Sequence, residues 1–255
     1  SREILQHDRQ VKAIRNFAVK KVLDAIERLG SDAPEKMRAV WKEFGAVIKE
    51  GLASDEEFRD RLLGLILCAT THGDEPTALS AYVERMPDTQ DQIYYLVGNS
   101  LDAARNSPHL ESFTRNGIEV LFFTDAVDEF WLDRDLSYQD KKFLSITKGE
   151  IDLEQDTSES APTAQDENDG DLAGLLQALR GLLQDEVKDV RVSGRLTDSP
   201  ACLVGDKEDL SPQLEQMMRQ LGQDPPKTKR ILEINPDHEF MQRLVAIHAA
   251  NEKSP

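Results

Sequence analysis

Two short apolar runs, "QIYYLV" at 92–97 and "GIEVLFFT" at 117–124, constrain the fold of this chain more than any other feature. Both are rich in aromatic and β-branched residues, which suit a pleated, partly buried surface. Between them lies a stretch of helical character that begins after Asn99 and is renewed at Ser107-Pro108. Strand, helix, strand at this separation predicts a βαβ unit with parallel strands, because the helical crossover carries the chain back to the end it started from. The second run is almost unbroken, so it should be covered on both faces. A short helix after Asp125 and a strand around 143–147 would complete the layer.

Ahead of this layer the period is helical. Val11, Ile14, Ala18, Val22, Ala25 and Leu29 recur at three- and four-residue steps, which predicts one buried helical face with Asp8 as N-cap and Gly30 as stop. Pro34 opens a second helix whose stripe is Met37, Val40, Trp41, Phe44, Val47 and Ile48, closed by Gly51. Ser54 and Glu57 in "SDEE" have capping-box spacing, and Phe58, Leu62, Leu65, Ile66 and Ala69 would supply the buried face of a third helix. The opening "SREILQ" then falls in a loop before the first helix.

From 150 to 171 the sequence holds acids, Ser, Thr, Ala and Pro, with no Lys or Arg between Lys148 and Arg180. Such a stretch buries too little apolar area to offset its ordering entropy, so it reads as a linker. Beyond it, "LAGLLQALRGLLQD" reads as a helix. Strands near 187–192 and 201–204, a helix at 211–221, a strand at 230–234 and a helix after Asn235-Pro236 follow. The expected fold class is therefore α/β plus α+β: a helical segment (1–73), a small αβα layer with parallel strands (74–149), the acidic linker (150–171) and a separate α+β domain (172–255).

Composition removes several functions. The net charge of −17, with 31% of residues charged, repels phosphate backbones, so nucleic acid is not expected as a partner. No apolar run approaches the roughly 18 residues that cross a bilayer and no secretory leader is legible, so a cytoplasmic location without membrane contact is expected. Cys68 and Cys202 stand far apart in apolar runs and should be buried thiols in a reducing compartment. With no CxxC and no HxxxH or HExxH, a metal site is not expected.

Local chemistry is sparse. "YYLVGNS" runs a strand into Gly98 and then a helix, where backbone amides could hold a phosphate, but a lone glycine at a strand end is ordinary turn chemistry. In "DAVDEFW", Asp125 reads as a helix N-cap, and Phe130 and Trp131 point about 100° apart on a helix. Either that helix is covered on two sides or one ring is exposed as an apolar contact. Leu210, Leu214, Met217, Met218 and Leu221 form a stripe at helical spacing. It is either core or an adaptable surface for irregular apolar partners, because thioethers repack at little cost.

Several ordered segments together bear on these readings. "SREILQ", "SAYVERMPDTQDQIYYLVGNS", "SPHLESFTRNGIEVLFFTDAVDE", "FLSITKG", "VKDVRVSGRLTDSPACLV" and "LEINPDH" closely resemble the heat-shock protein 90 chaperone family, in its bacterial form, over nearly the whole chain except the linker. The resemblance implies an ATP-driven homodimeric chaperone, of which 1–149 would be the later middle domain and 172–255 most of the C-terminal domain without its final dimerisation helices. It implies that Arg2 and Gln6 act on ATP and magnesium held by an N-terminal ATPase domain outside this chain. Arg2 would supply a fixed guanidinium to developing phosphoryl charge. It further implies that Phe130, with Trp131 beside it, and Leu210, Leu214, Met217 and Met218 contact partly unfolded client proteins. The expectation for the chain alone is no enzymatic turnover, no cofactor, client binding, and a monomer or weak association. A non-catalytic acidic scaffold between proteins is the alternative.

Overall fold

The computed structural model describes residues 9–132, 134–149, 153, 170–206, 208–226 and 228–252. Helices α1 (Arg9–Asp32) and α2 (Pro34–Ser54) form an antiparallel hairpin that α3 (Arg59–Gly64) braces. Arg61 of α3 reaches across to Asp24 at 2.8 Å and Glu27 at 2.7 Å on α1. Pro34 opens α2 as expected, and Gly51 lies within it rather than ending it. A side chain at Gly51 would stand 2.8 Å from Leu62 Cδ1, so glycine is there for the close approach of α3. Ser54 is the last residue of α2, its hydroxyl donating to Glu50 O, and does not cap α3.

Two expectations for this segment need correction. The buried side of α1 is Leu23, with Val19, Ile26 and Leu29 packed against the core, whereas Ile14 and Val22 are 68% and 58% exposed. The helix carries two apolar strips, and the one with Leu23 packs into the core, on the helix that Arg61 pairs with through Asp24 and Glu27. The third helix is also shorter than expected. It stops at Gly64, and Leu67–Thr70 is strand β1, which pairs antiparallel with β2 (Gly73–Ala78). Backbone pairing in a sheet outweighs the helical spacing of Leu62, Leu65, Ile66 and Ala69.

After α4 (Leu79–Arg85) comes the predicted βαβ unit. Strand β3 (Gln92–Val97) runs parallel to β4 (Leu121–Phe123) with Tyr95 opposite Leu121, and the crossover carries α5 (Leu101–Arg105), a 3₁₀ turn at Pro108–Leu110 and α6 (Glu111–Arg115). Leu121, Phe122 and Phe123 are all buried, one cluster on each side of the sheet taking alternate residues. Helix α7 (Asp128–Leu132) follows, then a hairpin of β5 (Ser137–Tyr138) and β6 (Lys141–Ser145). The finished sheet has the order β2-β1-β4-β3-β6-β5, with β6 parallel to β3.

The second part consists of α8 (Gly170–Leu182), β7 (Val187–Val192), β8 (Ala201–Val204), α9 (Pro212–Gln220), β9 (Arg230–Ile234) and α10 (Glu239–Glu252). Its sheet has the order β7-β9-β8, with β7 parallel and β8 antiparallel to β9. Helices α8 and α10 pack together on it over Leu172, Leu176, Val190, Ile234 and Met241. An α/β layer followed by an α+β layer is the architecture expected from the sequence.

The two layers are joined by polar contacts. The Glu111 carboxylate accepts the backbone N–H groups of Thr197 at 2.6 Å, Asp198 at 2.8 Å and Ser199 at 3.0 Å. Arg195 donates to Ile146 O at 2.9 Å and Gly149 O at 2.7 Å while its Nε sits 2.9 Å from Glu233. Burial alone would raise the Glu111 pKa, but the hydrogen bonds from Ser199, Thr197 and Asp198 outweigh it and hold the carboxyl below its ordinary value. His109 lies close by, and burial followed by the charge of Arg195 lowers its pKa to about 4.

Both groups therefore take up protons more readily in the unfolded chain. Their contribution is complete above His109's ordinary pKa of 6.5 and is lost as pH falls from there towards about 4, with Glu111 adding to the loss below 4.5. Urea midpoints measured across this range should fall on acidification. His109→Gln, which removes a shift worth about 3 kcal/mol, should flatten the curve between pH 6.5 and 4. An unchanged slope would remove His109 as the source.

Candidate functional site

The short helix α7 is anchored from below by charge. Lys49 of α2 is almost fully buried, and its Nζ lies 2.9 Å from both Asp125 Oδ2 and Asp128 Oδ2. Asp128 is fully buried and also accepts the Asp125 backbone N–H and the Trp131 indole N–H, each at 2.9 Å. The Asp128 side chain thus closes the turn ahead of α7 by reaching back to the Asp125 N–H, while Asp125, the expected N-cap, turns its carboxylate to Lys49. Burial pushes the Asp128 carboxyl above its usual range, and Lys49 and the two donors pull it back.

With Asp128 facing inward, the neighbouring rings separate. Trp131 has no exposed surface and meets Phe123 and Phe143 edge-on at ring-centre distances of 5.2 and 5.6 Å. Phe130 is 47% exposed. Of the two aromatics expected at a client surface, only Phe130 is presented to solvent. Trp131 is a core residue, because its indole N–H is satisfied only by the buried Asp128.

Helix α9 is the other candidate surface. Ser211 caps it, its Oγ accepting Leu214 N–H at 3.0 Å, and Pro212 stands in its first turn. Leu210, Leu214, Met217 and Met218 are half-buried, and Leu221 just beyond the helix is 70% exposed. The buried residue of the helix is Glu215, whose carboxylate takes Arg230 at 2.7 Å and Arg219 at 3.2 Å. This pairing tethers α9 to β9 by charge, so the apolar stripe lies at the boundary with solvent rather than in the core.

The structure brings the two candidates together at one point. Ser211 Oγ donates to Glu129 Oε2 at 2.6 Å, so the residue before Phe130 and the residue after Leu210 are hydrogen-bonded. Gln213 Nε2 adds a bond to Val97 O at 3.2 Å. Arg2 and Gln6 lie outside the described residues. In the Gly98 turn the Gly98 N–H is already donated to Phe123 O at 2.9 Å and is not offered to an anion. A side chain there would come within 3.1 Å of Ala104 Cβ, so the glycine serves packing.

Both thiols are free and buried, and burial pushes each to about 12, which makes them poor nucleophiles. Among the described residues no group of three or more His, Cys, Asp or Glu is placed to hold a metal ion, and no helix is long and apolar enough to cross a membrane. What the arrangement offers is a set of apolar contacts held by buried charge.

The family profile described as Hsp90 protein matches residues 1–255. The chain belongs to the Hsp90 family. Relatives named chaperone protein HtpG include one from Frankia casuarinae, 47% identical over 256 residues and covering 100% of this chain and 39% of the relative. Another from Streptomyces coelicolor is 47% identical over 245 residues, covering 96% and 38%, and one from Mycobacterium leprae is 48% identical over 250 residues, covering 97% and 38%. The chain thus spans about two-fifths of the length of these relatives.

Three residues of this candidate site were not found by sequence reasoning: Lys49, Glu129 and Ser211. Lys49 sits among apolar stripe residues of α2 with no partner nearby in sequence. Ser211 stood only as the first residue of the helix expected at 211–221, and its bond to Glu129 spans 82 positions.

Proposed function

We propose that this chain is the client-binding later part of an ATP-driven Hsp90-type chaperone, comprising the later middle domain and most of the C-terminal domain. The observation that supports it most is the family match over residues 1–255, with relatives named chaperones, joined to the exposed Phe130 and the half-exposed Leu210, Leu214, Met217 and Met218. Large apolar side chains at a solvent boundary suit partners that themselves expose apolar surface, and methionine adapts to irregular ones. The chain's charge of −17 keeps such a surface soluble.

In the longer protein, ATP and magnesium would be held by a preceding nucleotide-binding domain, and Arg2 would reach the γ-phosphate, with Gln6 helping to hold the closed state. The protein would be a cytoplasmic homodimer, while the chain alone would bind clients without turning over ATP and would associate weakly or not at all.

Titrating the longer protein with a folded and a destabilised version of one test protein should show preference for the destabilised form. In the same preparation Arg2→Ala should keep that preference and the nucleotide affinity while slowing ATP turnover, because its contribution is to the transition state. Equal binding of both forms favours an acidic scaffold instead, and unchanged turnover removes Arg2 from the mechanism.

A further inference from the structure

The bond between Ser211 and Glu129 joins two elements that lie 82 positions apart in sequence. On one side is α7, fixed to α2 through Asp128 and Lys49, and presenting Phe130 from the position after Glu129. On the other is α9, whose first turn starts at Ser211 and whose far side is held by Glu215 to Arg230. Arg230 also donates to Leu210 O at 3.3 Å, which fixes the residue ahead of the cap. Ser211 uses its oxygen twice, as acceptor for Leu214 N–H and as donor to Glu129, so the helix cap and the contact between layers share one atom. Glu129 is buried, and the 2.6 Å separation is that of a hydroxyl bonded to a carboxylate.

We propose that the Ser211–Glu129 hydrogen bond is a latch that holds Phe130 and the α9 stripe in one arrangement, so that the two apolar patches bind a client as a single surface. The inference rests on the client-binding reading above. Its physical content is effective concentration: a client held by Phe130 meets Leu214 and Met217 at a fixed offset only while α9 cannot pivot on its N-terminus. Ser211 and Glu129 are positioning residues here, since neither has to touch the client.

Two substitutions separate latch from cap. Asp at 211 is a good N-cap, but its carboxylate cannot donate to Glu129 and repels it; Asn caps equally well and its amide can donate. Client affinity is measured for Phe130→Ala in the unmodified chain, in Ser211→Asp and in Ser211→Asn. Phe130→Ala should weaken binding about fivefold or more in the unmodified and Asn backgrounds and less than about twofold in the Asp background, because two unlinked patches no longer act together. The same fold loss in all three backgrounds overturns the latch, since damage confined to α9 would leave the Phe130 contribution intact.

A second measurement needs no client. Spin labels at Phe130→Cys and Leu221→Cys, both exposed positions, report the distance between the two elements, while Cys68 and Cys202 are buried and react poorly. The distance distribution should be narrow in the unmodified and Asn backgrounds and broad in the Asp background. An unchanged distribution overturns the latch even where binding changes. A broadened one alongside indifference to the folding state of the test protein upholds the latch and removes the client-binding reading.

Discussion

Replacing Lys49 with methionine is expected to lower the unfolding free energy by about 3–5 kcal/mol, the usual consequence of leaving a buried charge without its partner. Methionine keeps the length and apolar stem of the side chain, so little of this loss comes from a cavity. What remains is Asp128, fully buried, with the Trp131 and Asp125 N–H donors and no cation. Asp125 is 45% exposed and can recover water, so the cost falls mainly on Asp128. The same argument predicts relief: Lys49→Met with Asp128→Asn should recover much of the stability, because the amide oxygen still accepts from Trp131 and no charge is stranded. Urea unfolding of the two single variants and the double decides it. Additive losses would mean that the pair is not the source. Near-ultraviolet circular dichroism of Trp131 should change in the single Lys49 variant, since its indole anchor loses its own support.

How far such a network can be read in advance depends on the range of the interactions. The strands at 92–97 and 121–123 were legible because parallel pairing buried on both faces demands continuous apolar residues, a local signal. The helical hairpin was legible for the same reason in its period, but not in its phase: α1 has apolar residues on more than one side, and the choice of Leu23 over Ile14 and Val22 is made by contacts distant in sequence, the shared apolar core and the Arg61 ion pairs among them. Strand β1 was misread as helix because four residues between two structured segments carry almost no period of their own. At the site, adjacency of Phe130 and Trp131 announced a divided pair, yet which ring turns inward is settled by the buried Asp128 beneath. Leu214, Met217 and Met218 announced an amphipathic helix, but its tilt is set by Glu215 and Arg230. In each case the local pattern shows that a face exists and a distant charge decides where it points.

That division between the two aromatics yields the other large effect. Trp131→Ala should cost about 3–5 kcal/mol, because a fully buried indole leaves a cavity between Phe123 and Phe143 and strands the Asp128 oxygen that it satisfied. Phe130→Ala, at a position 47% exposed, should stay within about 1 kcal/mol. The two variants differ by one position in sequence and should differ in opposite ways by function. Phe130→Ala keeps the urea midpoint and weakens binding of a destabilised test protein, whereas Trp131→Ala lowers the midpoint and weakens binding only to the extent that α7 unfolds. Running the binding assay well below the unfolding temperature of each variant isolates the contact from the scaffold. If Phe130→Ala costs as much stability as Trp131→Ala, its ring is packed in solution and the proposed client surface shrinks to α9. If it costs little and binding still falls, buried charge at Lys49 and Asp128 is what keeps one ring inside so that its neighbour can face the client.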